Sequence, residues 1–167
     1  MELHLERLPE GHSSVDLDED LVVGAGPEGR PVHVEGTLGV DVMAQQVLIS
    51  GTFHAVAGAN CDRCTEGFQQ RYDAELQVLI LRTAVGGRGI DPDDGWIVRQ
   101  ERGIVHLGPQ LTEAVLLAEP QQALCNDGCL GLCPRCGANL NQGPCGCPPD
   151  PVDDRWAKLA RLRDPRP

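Results

Sequence analysis

VHVEGTLGVDVM, residues 32–43, and QQVLISGTFHAVAG, residues 45–58, both alternate apolar side chains with polar or small ones. A period of two with many β-branched residues is typical of half-buried strands. Because the two segments lie almost end to end, they predict a hairpin or two successive strands of a meander. The pair therefore decides the fold class, an antiparallel β-rich body around which the other elements are placed.

Further segments extend this body. Residues 2–8 alternate and predict a strand, and residues 96–100 and 103–108 predict two short strands. Residues 68–82 alternate at first and become fully apolar, which favours a strand, although their alanine and leucines also allow a helix. Residues 9–30 are acidic and rich in glycine and proline, so we expect a loop or a loosely held insert there.

Two helices are expected besides the strands. Residues 109–120 begin with a proline, which suits a first helical turn, and a second proline ends the segment. Residues 153–163 place apolar side chains at helical spacing after aspartates that can cap a helix. Residues 83–95 indicate a loop. The fold class is therefore α+β: an antiparallel β-rich body, as a meander or partly open barrel, with a central helix, a cysteine-rich segment and a C-terminal helix.

The length of 167 residues fits one domain with small appendages. We divide it into a β-rich body with one helix (1–124), a zinc-binding segment (125–151) and a basic C-terminal helix or tail (152–167). No apolar run approaches the ~20 residues that a membrane span needs, and the N-terminus lacks the features of a secretory signal. We therefore expect a cytoplasmic protein without membrane contact, in which reduced cysteines are favoured over disulfides.

The net charge of −11 is unevenly distributed along the chain. Residues 1–60 carry a net −8 and residues 61–124 a net −4, whereas residues 152–167 carry a net +2. Such acidity excludes a nucleic-acid platform that covers the whole surface. Aromatic residues make up 3% of the chain, so the core is weak per residue and something besides apolar burial helps to hold the fold.

The cysteines form two clusters, which together comprise Cys61, Cys64, Cys125, Cys129, Cys133, Cys136, Cys145 and Cys147. CPRCG (133–137) places two thiolates on one turn, where both sulfurs can face one tetrahedral Zn²⁺, and CGC (145–147) offers two more. CDRC (61–64) is a second such turn, and pairing it with Cys125 and Cys129 uses every cysteine in two four-thiolate sites. Other partitions, in which Cys129, Cys133 or Cys136 is shared differently, stay open.

We expect one or two structural zinc ions. A catalytic zinc keeps an open position and usually has histidine or carboxylate ligands, whereas the five histidines here are dispersed. The alternative is a reversible disulfide within CDRC or CGC. Phosphate-loop, nucleophile-elbow and HExxH motifs are absent from the sequence. The sequence therefore predicts neither an enzyme nor a small-molecule substrate.

Five sequence blocks, in this order, resemble the YceD family of bacterial large-ribosomal-RNA accumulation proteins: CDRCTEGF (61–68), LLAEPQQALC (116–125), CLGLCPRCGANLN (129–141), CGC (145–147) and DDRWAKLARL (153–162). The resemblance covers about residues 32–163. It implies a cytoplasmic factor that supports accumulation or processing of the large ribosomal RNA, and thus assembly of the large subunit. It also implies that the Cys61 and Cys64 pair is the more general feature, and the second set an accessory staple.

The charge distribution limits the kinds of partner that each part of the chain can bind. The acidic first sixty residues repel ribosomal RNA and suit a basic ribosomal protein or assembly factor. The RNA-binding candidates are Arg135, Arg155, Lys158, Arg161 and Arg163. The expected RNA partner is the large-subunit precursor or its ribosomal RNA. Two other functions stay open, a zinc-ribbon regulator that binds nucleic acid and a thiol-switch chaperone.

Overall fold

The computed structural model of the chain describes residues 1–24, 29–81, 97–99 and 103–148, together with Arg155 and Leu159. Its elements are β1 (Glu2–His4), a 3-10 turn (Leu5–Arg7), β2 (Gly11–Val23), β3 (Arg30–Val42), β4 (Gln46–Asn60), β5 (Gly67–Leu81), β6 (Ile97–Arg99), β7 (Ile104–His106), α1 (Gly108–Ala118) and a 3-10 turn (Leu140–Gln142).

Strands β2 to β6 form one sheet in the order β2-β3-β4-β5-β6, and β1 pairs with β7 in a separate antiparallel ribbon. The strands β2 to β5 are an antiparallel meander, in which Val34 lies opposite Ala55 and Phe53 opposite Ala74. The predicted meander is therefore confirmed. β6 departs from the expected antiparallel pattern, because it pairs in parallel with β5.

The predicted loop over residues 9–30 is wrong, because β2 occupies Gly11–Val23 and pairs with β3 along its whole length. Its aspartates occupy alternate positions and are exposed, whereas Leu17 and Leu21 on the opposite face are buried. The acidic composition of the segment concealed this alternation, which is the pattern of a strand with one face in water.

The other boundaries agree closely with the sequence pattern, apart from β1. The segments predicted over 32–43, 45–58 and 68–82 correspond to β3, β4 and β5, and the helix over 109–120 corresponds to α1. The strand predicted over residues 2–8 is shorter than expected, since β1 ends at His4 and the chain continues as a 3-10 turn.

Two predicted elements fall largely or wholly on parts of the chain that are not described. The loop over 83–95 lies outside the described residues. The C-terminal helix over 153–163 does so too, except for the exposed Arg155 and Leu159. The division of the chain into three parts stays a prediction.

The core lies on one face of the meander and under α1. It is built from aliphatic side chains, and among the described residues Phe53 is the largest that is fully buried. Leu111 and Val115, one helical turn apart on α1, are fully buried, and the helix packs against β5 and β2. Glu119, directly after the helix, forms an ion pair with Arg30 at the start of β3. The helix therefore leads the chain back across the sheet toward the cysteine segment.

Gly36 on β3 leaves the room that Phe53 needs on the neighbouring strand. A Cβ at position 36 would lie 2.9 Å from the Phe53 Cβ and 3.1 Å from its Cα. We expect Gly36→Ala to lower the free energy of unfolding by about 1–3 kcal/mol, because the backbone of β4 must shift. Gly58→Ala on β4 is the matched control, since a Cβ there meets nothing within 4 Å. Urea unfolding of both variants checks this, and equal stabilities would contradict it.

Candidate metal centre

The structure brings the eight cysteines into two groups of four. Site A is Cys61, Cys64, Cys125 and Cys129, and site B is Cys133, Cys136, Cys145 and Cys147. Within each group all Sγ atoms lie within 4.8 Å of one another, so each group could hold a metal ion. This is the partition that the spacing favoured, and that these cysteines bind metal stays a prediction.

The sulfur geometry of site A suits a tetrahedral ion. The Sγ atoms of Cys61 and Cys129 are 3.8 Å apart, and those of Cys64 and Cys125 are 3.7 Å apart. A tetrahedron with Zn–S bonds of about 2.3 Å has edges of about 3.8 Å. Cys61, Cys64 and Cys129 are almost fully buried. The donor set therefore fits a closed, structural zinc site, because four thiolates leave no open coordination position.

Two different parts of the chain supply site A. Cys61 and Cys64 lie in the connection between β4 and β5, where the Thr65 amide donates to the Cys61 carbonyl at 2.8 Å. The Cys61 amide donates to the Glu66 carbonyl at 2.9 Å and closes the turn. Cys125 and Cys129 come from the segment after α1. Site A thus joins the connection between β4 and β5 to the segment that follows α1.

The residues between Cys61 and Cys64 fasten these two parts together. The Asp62 amide donates to the Ala123 carbonyl, and the Ala123 amide donates back to Asp62 Oδ2, each at 2.8 Å. Arg63 Nη1 donates to the carbonyls of Cys129 at 3.0 Å and of Asp127 at 3.4 Å. Arg63 therefore holds the two parts of site A together. Because its guanidinium is used in this way, a basic nucleic-acid-binding face around this turn is disfavoured.

Amide donors favour the thiolate form of some cysteines in both sites. A hydrogen bond from the backbone of Cys125 lowers the pKa of Cys61 to about 6, with further help from the Cys64 and Arg63 amides. The side chain of Asn141 lowers the pKa of Cys129. Burial raises the pKa of Cys125 to about 12. A bound Zn²⁺ would offset two of the four negative charges, and coordination favours the deprotonated form of each ligating thiol.

Site B is built on a tight turn of its own. The Cys133 amide donates to the Ala138 carbonyl at 2.8 Å, and the Gly137 amide donates to the Cys133 carbonyl at 2.9 Å. Gly137 has φ 73° and Gly146 has φ 76°, a conformation that glycine adopts without strain. The amide of Cys136 and then that of Arg135 lower the pKa of Cys133 to about 6. Site B is more exposed than site A, since Cys136 is exposed and Cys145 and Cys147 are half-buried.

The predicted RNA-binding residues are only partly described. Arg135 is exposed beside site B, and Arg155 is exposed. Lys158, Arg161 and Arg163 lie outside the described residues. A role of these five residues in RNA binding stays a prediction.

The solvent face of the meander is acidic. One cross-strand row consists of Asp18, Glu35, His54 and Asp73. Like charges that lie directly opposite, such as Asp18 and Glu35, repel one another. His54 Nδ1 lies 2.5 Å from Asp73 Oδ1, and Arg71 pairs with Glu35 at 3.1 Å. The row nevertheless keeps a net negative charge at neutral pH, which disfavours phosphate and favours cationic groups.

His33 on this face gives a titration test of the described geometry. Its Nδ1 lies 3.0 Å from Asp20 Oδ1, and this hydrogen bond raises the pKa of His33 above 6.5. The stability contributed by the pair is present below pH 6.5 and is lost as the pH rises through the folded pKa. We expect Asp20→Asn to lower the pKa of His33, measured by NMR titration. Asp16→Asn, whose carboxylate instead accepts from Thr37, is the control, and an unchanged pKa in Asp20→Asn would contradict the assignment.

Among the described residues, no helix combines the length and the apolar character that crossing a membrane requires. Over the residues that the structure describes, the fold and the cysteine geometry define a class, a mostly antiparallel β-sheet protein with one α-helix and two four-cysteine groups that could each hold a metal ion. The model of the family described as "Large ribosomal RNA subunit accumulation protein YceD" matches residues 49–163, which include all eight cysteines. The chain belongs to the YceD family.

Curated proteins with similar sequences include one that bears the family name and others that are uncharacterized. The chain is 26% identical over 199 residues to the chloroplastic "Large ribosomal RNA subunit accumulation protein YCED homolog 1" of Arabidopsis thaliana, with 96% of this chain and 60% of the relative covered. It is 29% identical over 139 residues to an uncharacterized protein of Mycobacterium leprae, with 82% of this chain and 61% of the relative covered. An uncharacterized protein of Mycobacterium tuberculosis is 30% identical over 130 residues, with 77% and 61% covered.

The chain spans about three fifths of the length of these relatives. No solved structure gives a significant match.

Proposed function

We propose that this chain is a non-enzymatic factor that supports accumulation of the large ribosomal RNA, and through it assembly of the large ribosomal subunit. The observation that carries the proposal is the family match over residues 49–163, which contains β5, α1 and both cysteine sites. The relative from Arabidopsis thaliana has the same description in its name. Closed four-thiolate sites support a structural rather than a catalytic use of metal.

Zinc is the ion that we propose for sites A and B. A bound zinc would supply a covalent-like crosslink, whose binding free energy contributes directly to folding. In site A the crosslink would join the β4–β5 connection to the segment that follows α1. Because aromatic residues are few in the chain, this closure would add to the stability that burial of aliphatic side chains supplies. Reduced thiolates of this kind are consistent with the cytoplasm as the compartment.

The acidic face of the meander is the proposed contact for a basic partner, either a ribosomal protein or another assembly factor. Its carboxylates project from neighbouring strands into solvent, and they would repel the phosphates of RNA. The proposed RNA contacts are therefore on the other part of the chain, at the residues Arg135, Arg155, Lys158, Arg161 and Arg163. The two kinds of contact would let one chain bridge a basic protein and the precursor RNA.

Depletion of the protein in its native cell tests the ribosomal role. We expect a lower ratio of large-subunit to small-subunit ribosomal RNA, and co-sedimentation of the tagged full-length protein with precursor large subunits. Complementation by the wild-type gene should restore the ratio. An unchanged ratio after depletion, with the protein found only in the free fractions, would contradict the proposed function.

Charge-neutralising variants test the basic partner. Asp16→Asn, Asp18→Asn and Asp73→Asn together remove three negative charges from the acidic face, all at exposed positions. We expect them to weaken capture of the basic protein that co-purifies with the wild type. The matched control removes three negative charges at exposed positions outside this face, with the substitutions Glu6→Gln, Glu10→Gln and Glu113→Gln. Equal capture by the two triple variants would contradict a role of the acidic face.

A further inference from the structure

Asn141 connects the two cysteine sites. It belongs to the 3-10 turn Leu140–Gln142, within the segment between Cys136 and Cys145 of site B. Its Nδ2 nevertheless donates to Sγ of Cys129 in site A at 3.3 Å. Its Oδ1 accepts from the backbone amide of Leu130 at 2.8 Å. The amide donor from Leu130 requires the oxygen of Asn141 on that side, which turns the NH₂ group toward the sulfur.

A second asparagine holds Asn141 in this orientation. Asn139 Oδ1 accepts from the Asn141 backbone amide at 2.9 Å and from Asn141 Nδ2 at 2.8 Å. Asn139 Nδ2 donates in turn to Oε1 of Glu66, two residues after Cys64, at 2.8 Å. The two asparagines of site B's segment are therefore both hydrogen-bonded to the surroundings of site A.

The backbone between the two sites also packs closely against the turn of site A. The Leu132 amide donates to the Arg63 carbonyl at 3.1 Å. Gly131 has φ 74°, and a Cβ there would lie 3.0 Å from the same carbonyl oxygen. The Gly131 carbonyl then accepts from the Leu140 amide at 2.9 Å. A continuous series of backbone contacts thus connects the turn of site A, through Gly131, to the 3-10 turn that carries Asn141.

Site B closes the segment that presents these asparagines. Cys133 and Cys136 lie before it and Cys145 and Cys147 after it, so an ion in site B would fix both of its ends. Without that ion, ordering the segment has a larger cost in chain entropy. A donor to a ligand atom tunes the metal, and losing such an outer partner typically weakens metal affinity by roughly 10- to 100-fold.

We propose that site B is a positioning site for site A: an ion in site B orders the segment that delivers the Asn141 amide to the Cys129 sulfur, so that site A binds its ion more tightly when site B is loaded. Asn141 is the positioning residue of this coupling. By linkage, an ion in site A strengthens binding at site B by the same factor. The inference rests on the proposed zinc sites.

The test uses the full chain, stripped of metal under reducing conditions and titrated with Zn²⁺ against a chromophoric chelator. Site B is removed with the double variant Cys133→Ser and Cys136→Ser, and the connection alone is cut with Asn141→Leu, which keeps all eight cysteines. We expect either change to weaken zinc binding at site A by roughly 10- to 100-fold. Combining the two should weaken it no further, because both act through the same hydrogen bond.

Asn126→Leu is the matched control. Asn126 Nδ2 also donates to a site A sulfur, that of Cys125, at 3.5 Å, but it lies outside the segment that site B closes. We expect Asn126→Leu to weaken zinc binding at site A by the same factor whether or not site B is present. The ¹¹³Cd NMR shift of cadmium in site A gives a second readout, which should move in Asn141→Leu and move in the same direction when site B is removed.

The outcomes separate the inference from the function on which it rests. Equal site A affinity with and without site B, or additive effects of Asn141→Leu and site B removal, would overturn the coupling and leave the zinc proposal intact. Absence of metal binding at either site would overturn both. Circular dichroism of the Asn141→Leu variant verifies that the fold is retained, since the substitution leaves the sheet core and every cysteine in place.

Discussion

Replacing Cys61 with serine is expected to remove the ion of site A and to lower the free energy of unfolding by about 3–5 kcal/mol. Cys61 is 1% exposed and lies where the β4–β5 connection meets the segment after α1. Loss of one thiolate opens the crosslink and leaves three cysteine side chains around a polar oxygen. Native mass spectrometry measures the bound metal, and urea unfolding followed by circular dichroism measures the stability.

Cys136→Ser is the matched control for this prediction. Cys136 is exposed and belongs to site B, whose four cysteines all come from one stretch of the chain, residues 133–147. We expect this variant to lose one ion as well, but with a smaller decrease in stability. If Cys61→Ser unfolded at the same urea concentration as the wild type, site A would not be the stabilising crosslink that we propose.

Phe53→Ala is expected to lower the free energy of unfolding by about 3–5 kcal/mol, a loss of the size seen when a large core side chain is truncated. Phe53 is 1% exposed and is the largest fully buried side chain among the described residues. Its Cβ lies against Gly36, which has no side chain of its own to occupy the space that the ring leaves. Urea or thermal unfolding measures the loss.

Leu48→Ala on the same strand provides the comparison. Leu48 faces the other side of the sheet and is half-buried, so we expect its truncation to be clearly less costly than that of Phe53. Equal losses for the two variants would contradict the assignment of the core to the face that carries Phe53.

Strong alternation made most of the sheet predictable from the sequence. β3, β4 and β5 each alternate small or β-branched side chains with polar ones, and their predicted bounds differ little from the observed ones. β2 is harder to predict, because the aspartates on its exposed face give the segment an acidic composition typical of a loop, although their spacing is that of a strand. The parallel pairing of β6 with β5 is a relation between two strands, which the periodicity within either one does not encode.

The cysteine sites show the same division between local and distant information. Spacing within CDRC and CPRCG was enough to favour the observed grouping of all eight cysteines. Spacing does not predict the roles of Asp62, Arg63 and Asn141, since the groups that they bind are 11 to 66 positions away. Their position inside or beside a cysteine turn is visible in the sequence. Which group each of these polar side chains binds depends on the residues that the fold places next to it.

Zinc X-ray absorption of the purified full-length protein, with the zinc content determined on the same sample, tests the central claim that two thiolate sites hold this fold together. The expected result is two zinc ions per chain, each with four sulfur neighbours at about 2.3 Å. A stably folded protein without zinc, or one whose cysteines are paired as disulfides, would contradict it.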